Sequence, residues 1–359
     1  MKDQQAAELR ERLRAFVRAQ NGNVRARIGA LKALPGHAGV SYGFVLRRDG
    51  GNSADGERLV IRLAPIGAPP VGPNDVVRQA RIMAALGDGS GVAVPPIRWY
   101  GDDPRWFGRP FFIAGFVKGD KPALGRRTFG EAEMENSARE AVAALARLHR
   151  IGPTMRSAFG PRIGLASELK RLDRLLDRPT LDPAAVALAP RLRKLLIKTR
   201  PARTPTGCLH GDFNWSNCLF SGGHLAAIID WELAQTGAVL LDIGWLSLFS
   251  DRASWVSSEL IPLNAPQPEV LMEMYRQAGG PAATDAAARW FRAFAGYRFG
   301  VITAFNLMLH RRGKRHDPMW ETIAQSAPRL FERGVELLEP SRGKRTAKAK
   351  PTKRLSLRR

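Results

Sequence analysis

Only two cysteines, Cys208 and Cys218, occur among 359 residues. That excludes a disulfide-stapled scaffold and suits a reducing compartment. Long apolar runs are missing too: the longest, such as FFIAGFV, are strand-sized, so no segment reads as a bilayer span. The N-terminal MKDQQAAELRERLRAF mixes both charge signs and lacks the apolar core of a secretory signal, which leads us to expect a cytoplasmic protein. No phosphate-loop G-x-x-x-x-G-K-S/T occurs, and GDGSG at Gly87 to Gly91 lacks the following helix of a dinucleotide site. Cys208, His210, Cys218 and His224 have no zinc-site spacing, and both cysteines fit apolar strand positions better. GVSYG at Gly39 to Gly43 matches the hydrolase nucleophile elbow only in letters, because a strand rather than a helix follows it.

Acidic residues are scarce relative to basic ones: 33 against 56, a formal charge of +23. The last stretch, SRGKRTAKAKPTKRLSLRR, carries nine basic residues and no acid. It has almost no apolar side chain to offset its ordering entropy, so residues 341–359 are expected to be a disordered basic tail. A basic surface favours anionic partners, so the tail is a candidate for nucleic-acid or anionic-membrane contact. Proteins of an Arg-rich proteome also solubilise themselves in this way.

Along the chain, residues 4–19 have helical periodicity with Ala7, Leu9, Leu13, Phe16 and Val17 near one face. LPGHAGVSYGFVLRR reads as a Gly-containing turn followed by a strand, ERLVIRLAP as a strand and RPFFIAGFVKG as a buried strand and its exit, with a helix, DVVRQARIMAAL, between the last two, capped by Asn74 and stopped at Gly87. From Glu131 onward the pattern is mostly helical: 131–149, about 166–178, about 183–199 with a kink at Pro190, and further helices to about 338. The expected architecture is α+β, with a small strand-rich lobe over 1–115, a larger helical lobe over 116–340, and a cleft between them suited to a ligand.

One stretch breaks the helical pattern. HGDFNWSNCLF, His210 to Phe220, is followed by a Ser221-Gly222-Gly223 turn and the strand leading into AIIDWE. A polar turn would account for the Asp and Asn. It would not account for their joint spacing, nor for an acid directly after an apolar strand. The hairpin brings Asp230 back beside Asn217, which gathers two carboxylates and one amide oxygen. Mg²⁺ favours hard oxygen ligands, typically one or two carboxylates with phosphate and water completing the shell. Asn217 and Asp230 fit that role, and Asp212 is free to face a hydroxyl. These are the parts of a phosphoryl-transfer site.

CLHGDFNWSNCLF together with AIIDWELAQTGAVLLDIGW resembles the signature of aminoglycoside phosphotransferase and choline kinase-like small-molecule kinases, which share the protein-kinase-like two-lobe fold. The resemblance covers roughly residues 30–340. HGD and DWE, in place of HRD and DFG, resemble the small-molecule branch. It implies an ATP-dependent (GTP is open) and Mg²⁺-dependent transfer to a small hydroxylated acceptor. Asp212 is then the catalytic base and His210 its neighbour in the catalytic loop, more a brace than a reactant. Asn217 and Asp230 hold the metal, and Asp242 supports the loop from behind. ALARLH, ending at His149, resembles the helix before that loop. The resemblance puts Gly36, Gly39 and Ser41 near the phosphates and the backbone of Gly115, Phe116 and Val117 against the adenine.

Two positions depart from the family pattern. Arg62, in LVIRLAP, stands where a lysine usually meets the phosphates; it keeps the charge and can bind bidentately. Gln79, in VVRQARIM, stands where a glutamate usually pairs with that lysine; it can accept a hydrogen bond but not form an ion pair. The pair of changes keeps open a second reading, a catalytically weak pseudokinase or nucleotide-binding scaffold. For the acceptor, the helix around WFRAFAGYRFGVITAFNLMLHRRGKRHDP is rich in Arg292, Arg298, Arg311, Arg312 and other basic residues, with Arg289 just before it. That leads us to expect an anionic or amphipathic hydroxylated acceptor.

Overall fold

The computed structural model describes residues 2–21, 26–34, 40–47, 56–87 and 89–339. The chain opens with helix α1, Lys2–Asn21, whose Leu9, Leu13, Phe16 and Val17 are buried while Ala7 is exposed. Six strands follow: β1 Arg27–Ile28, β2 Lys32–Leu34, β3 Val40–Arg47, β4 Glu57–Leu63, β5 Ile97–Gly101 and β6 Phe111–Gly115. They form one antiparallel sheet ordered β1-β3-β4-β6-β5, with β2 also on β3. Helix α2, Val76–Gly87, lies between β4 and β5 in the chain. Period-two alternation on β4 buries Leu59, Ile61 and Leu63 against α1 residues, in a cluster with Phe107 and Phe111. Arg62 is turned by the same alternation to the other face.

The helical part begins at α3, Glu131–His149, and continues through α4 Leu165–Leu176, α5 Ala189–Lys198, α6 Leu240–Leu248, α7 Pro268–Gln277, α8 Asp285–Arg311 and α9 Ala327–Leu338, with short single turns between them. No helix among the described residues is long and apolar enough to cross a membrane. Two small sheets are set into these helices. β7, Thr206–Leu209, pairs antiparallel with β10, Gln235–Ala238; β8, Cys218–Ser221, pairs with β9, His224–Ile228. Gly222 and Gly223 both have positive φ, as the two-residue hairpin turn needs.

Three local expectations are corrected. Asn74 ends a short 3₁₀ turn, and it is Asp75 that caps α2, its Oδ1 accepting from Arg78 N at 2.9 Å. Pro190 does not kink a continuous helix over 183–199. The chain forms a turn at Pro183–Val186 and then α5, with Pro190 in its first turn, where a missing N–H is harmless. Strands β1, β2 and β5 were not anticipated; the expected RPFFIAGFVKG strand supplies the partner of β5. The basic tail lies outside the described residues.

Candidate active site

Strands β7 and β10 pair with Leu209 opposite Gln235, so the loop leaving β7 and the segment entering β10 lie side by side. The β8–β9 hairpin sits between them in the chain. Its register, Cys218 opposite Ile228, and the bond from Ile229 N to Asn217 O (2.9 Å) bring Asn217 and Asp230 to the same end of the hairpin.

The Asp212 carboxylate is held by three donors. Oδ1 accepts from Trp245 Nε1 at 2.7 Å and Asn214 Nδ2 at 3.0 Å; Oδ2 accepts from Asn217 Nδ2 at 2.9 Å. Burial pushes its pKa up, while the Arg298 guanidinium and the Trp245 N–H pull against this. Arg298 lies over the Trp245 ring, 4.6 Å from the centroid, and donates to Gly211 O at 3.0 Å.

His210 is fully buried and acts as a brace. Its Nε2 lies 2.9 Å from Ile229 O, and its Nδ1 accepts from Asp212 N at 3.3 Å, a pattern that fits the Nε2-protonated tautomer. Behind the loop, Asp242 accepts from His210 N (2.7 Å) and Gly211 N (2.8 Å), and His149 Nε2 stands 3.2 Å from it. His149 in turn meets the Tyr275 hydroxyl at 2.6 Å. Gly211 has φ +84°, and a Cβ there would lie 2.2 Å from Leu233 O, so the turn requires glycine.

Asp230 is the only non-glycine residue with positive φ among the described residues, at φ 66°, ψ 60°. Aspartate tolerates this left-handed conformation better than most side chains. Its Oδ1 is buried and accepts no hydrogen bond, with Arg62 Nη1 3.5 Å away. Asn217 directs its amide nitrogen to Asp212, which leaves its amide oxygen for another partner. A hard cation would satisfy both oxygens.

On the sheet, Arg62 is directly opposite Ser41 on β3 and Phe112 on β6, so the three side chains share a face. Arg62 Nη2 binds Glu232 Oε2 at 2.8 Å. Burial, then the charge of Asp230, push the Glu232 pKa up to about 7, against the pull of Arg62. Gln79 is not where its position in the motif implied. It is buried and donates from Nε2 to Pro73 O at 2.8 Å, because the 3₁₀ turn preceding α2 presents that carbonyl to it. Its neighbour Arg78 instead reaches the site, donating to Ala234 O (2.6 Å) and Glu232 O (2.8 Å). Replacing Gln79 by Leu leaves the Pro73 carbonyl without its donor and is expected to lower stability by about 1 kcal/mol, measurable by calorimetry.

At the end of β6, Gly115 N donates to Pro96 O and Phe116 N to Arg58 O. Of the three residues expected against the adenine, Val117 keeps a main-chain N–H with no acceptor among the described residues. Gly36 and Gly39 lie outside the described residues. Of the expected acceptor-side basic residues, Arg292 is neutralised by Asp251 and Glu269 and Arg311 by Glu321. Only Arg298 of this group touches the catalytic loop. Burial pushes the Cys208 thiol up to about 11 and the Cys218 thiol to about 12, which keeps both protonated among apolar neighbours. Glu232, Arg78 and Trp245 had not been singled out from sequence. Glu232 alone carried a signal, as an acid two residues beyond Asp230.

Comparison with known proteins follows the same lines. Residues 42–291, more than half of the chain, match the family described as "Phosphotransferase enzyme family". A candidate aminoglycoside phosphotransferase from Ralstonia eutropha has a similar structure: TM-score 0.73 at 21% identity, covering 92% of this chain and 98% of that one. A thermostable aminoglycoside phosphotransferase, APH(4)-Ia, solved with ADP and hygromycin B, aligns with TM-score 0.56 at 13% identity, covering 92% and 99%. These two share the protein-kinase-like fold with this chain. Among curated sequences, the probable acyl-CoA dehydrogenase IBR3 of Arabidopsis thaliana is 27% identical over 304 residues, 74% of this chain and 35% of that protein. The chain spans well under half the length of the curated relatives it matches. Fold, catalytic-loop spacing and family match agree: the chain belongs to the phosphotransferase enzyme (APH) family.

Proposed function

We propose that the chain is an ATP-dependent small-molecule kinase, with residues 1–115 as the nucleotide-binding lobe and 116–340 as the lobe carrying the catalytic loop and the acceptor. The observation that carries this reading is the Asp212 carboxylate. A carboxylate offers about four acceptor sites, and the protein fills two on Oδ1 but one on Oδ2. Oδ2 is therefore the oxygen left to take the proton of an acceptor hydroxyl. That hydroxyl oxygen forms a bond to the γ-phosphorus, the bond from phosphorus to the ADP oxygen breaks, and the acceptor proton passes to Asp212.

Arg62 and Ser41 face the phosphates from the sheet, and the hinge around Val117 faces the adenine. Asn217 and Asp230 would supply the oxygens to hold a divalent cation. When bound, Mg²⁺ neutralises phosphate charge. The rest of the catalysis is positioning by the braced loop. On the acceptor side, Trp245, Phe249, Trp255 and Phe299 form a continuous aromatic group with centroids 5.3–5.6 Å apart, beginning at the Trp245 that holds Asp212. Trp245 and Trp255 are buried, so the half-buried Phe249 and Phe299, with Arg298 beside Trp245, are the members that support an amphipathic hydroxylated acceptor. The test is nucleoside diphosphate release from ATP or GTP across a panel of hydroxylated compounds, with the Asp212→Ala protein as blank. A panel without Asp212-dependent release would overturn the reading.

A further inference from the structure

Arg62 is mostly buried, with 16% of its side chain exposed, and a buried guanidinium needs a charged or well-bonded partner. In this chain that partner does not come from helix α2. Gln79 is committed to the Pro73 carbonyl. The 2.8 Å contact to Arg62 comes instead from Glu232, 18% exposed and two residues beyond Asp230, while Asp230 itself stands farther off at 3.5 Å. The contact is made on Nη2, and the five N–H donors of the guanidinium are enough to keep this partner and still reach a phosphate oxygen.

Helix α2 still contributes, through a different residue and with the opposite charge. Arg78 donates Nη1 to Ala234 O and Nη2 to Glu232 O, so α2 fixes the backbone of the residue whose side chain fixes Arg62. Burial lowers the pKa of this guanidinium, and Asp75, which caps the same helix, counters that. The path from helix to phosphate-facing cation thus runs Arg78, Glu232, Arg62, and it crosses from the sheet-bearing part of the chain to the segment between Asp230 and β10 and back.

We infer that Glu232 is the positioning residue for Arg62 on the nucleotide phosphates, taking the place of the helix carboxylate absent at Gln79, with Arg78 fixing Glu232 to α2. The inference rests on the kinase reading above, in which Arg62 meets the phosphates. It also answers the departure at Gln79: the clamp is rewired, not lost.

Equilibrium titration of the full chain with AMP-PNP and Mg²⁺, and separately with adenosine, tests this without need of the acceptor. Glu232→Gln is expected to weaken AMP-PNP binding about tenfold, the size of one lost charge-assisted hydrogen bond, and to leave adenosine binding unchanged. Arg62→Gln should do the same, and the double variant should be no weaker than Arg62→Gln alone. Arg78→Lys keeps the charge but loses the fork to two carbonyls, and should show a smaller loss confined to AMP-PNP. If Glu232→Gln does not fold, Glu232→Asp, one methylene shorter, serves in its place. AMP-PNP affinity equal to wild type in the Glu232 variant, or losses that add in full in the double variant, would overturn the inference alone. Failure of the wild-type protein to bind either ligand would overturn the nucleotide reading beneath it.

Discussion

Asp212→Ala is expected to reduce phosphoryl transfer by a factor of about 100 to 10,000, the range contributed by a positioned general base, with nucleotide affinity close to wild type. The reason lies in where the carboxylate is anchored. All three of its donors, Trp245, Asn214 and Asn217, belong to the helical part of the chain, whereas Arg62 and Ser41, the groups proposed for the phosphates, belong to the sheet. Truncating Asp212 removes the proton acceptor and leaves the sheet untouched. Steady-state turnover combined with direct nucleotide titration separates the two effects. Equal loss of binding and turnover would move Asp212 from the acceptor to the nucleotide.

Asp242→Asn is expected to lower stability by about 3 kcal/mol, and so the thermal midpoint by roughly 4 °C for a chain of this length, and to reduce turnover as well. Asp242 is buried and satisfies two consecutive main-chain donors, His210 N on Oδ2 and Gly211 N on Oδ1, with His149 beside it. An amide offers one acceptor oxygen where two N–H groups need one each, and its own NH₂ faces a donor. One buried N–H is left without a partner at the turn that aims Asp212. Differential scanning calorimetry together with turnover measures both consequences. A variant as stable and as active as wild type would show that the loop is held by other means.

The shape of the loop proposed for catalysis was legible in the sequence because its geometry is local. A hairpin of fixed length with Gly222-Gly223 at its turn determines that Asn217 and Asp230 meet, and Gly211 is needed for the approach to Leu233. Strands β3, β4 and β6 and the larger helices were legible for the same reason, since each carries its own periodicity. The set of contacts proposed to hold the nucleotide was not. Arg62 and Glu232 are 170 residues apart, and Arg78 and Ala234 156 apart, so no spacing announces either contact. Gln79 could be placed by its helical position, but its side chain was captured by a carbonyl of the preceding turn, which position alone does not reveal. Trp245 reads as a core residue in LLDIGW and is indeed 4% exposed; only the fold shows that its indole N–H is a catalytic-loop donor. The basic residues of α8 read as one group, yet Arg292 and Arg311 are paired with acids of other segments, and it is Arg298 that turns to the loop.

The most direct measurement is ATP-dependent, Mg²⁺-requiring nucleoside diphosphate release in the presence of hydroxylated compounds, run in parallel on wild type and Asp212→Ala. A release that depends on one class of hydroxyl compound, is lost in the variant and is accompanied by a phosphorylated acceptor is the expected result. Release that is unchanged in the Asp212→Ala protein, or nucleotide binding with no transfer to any hydroxyl, would contradict the assignment of this loop as a phosphoryl-transfer site.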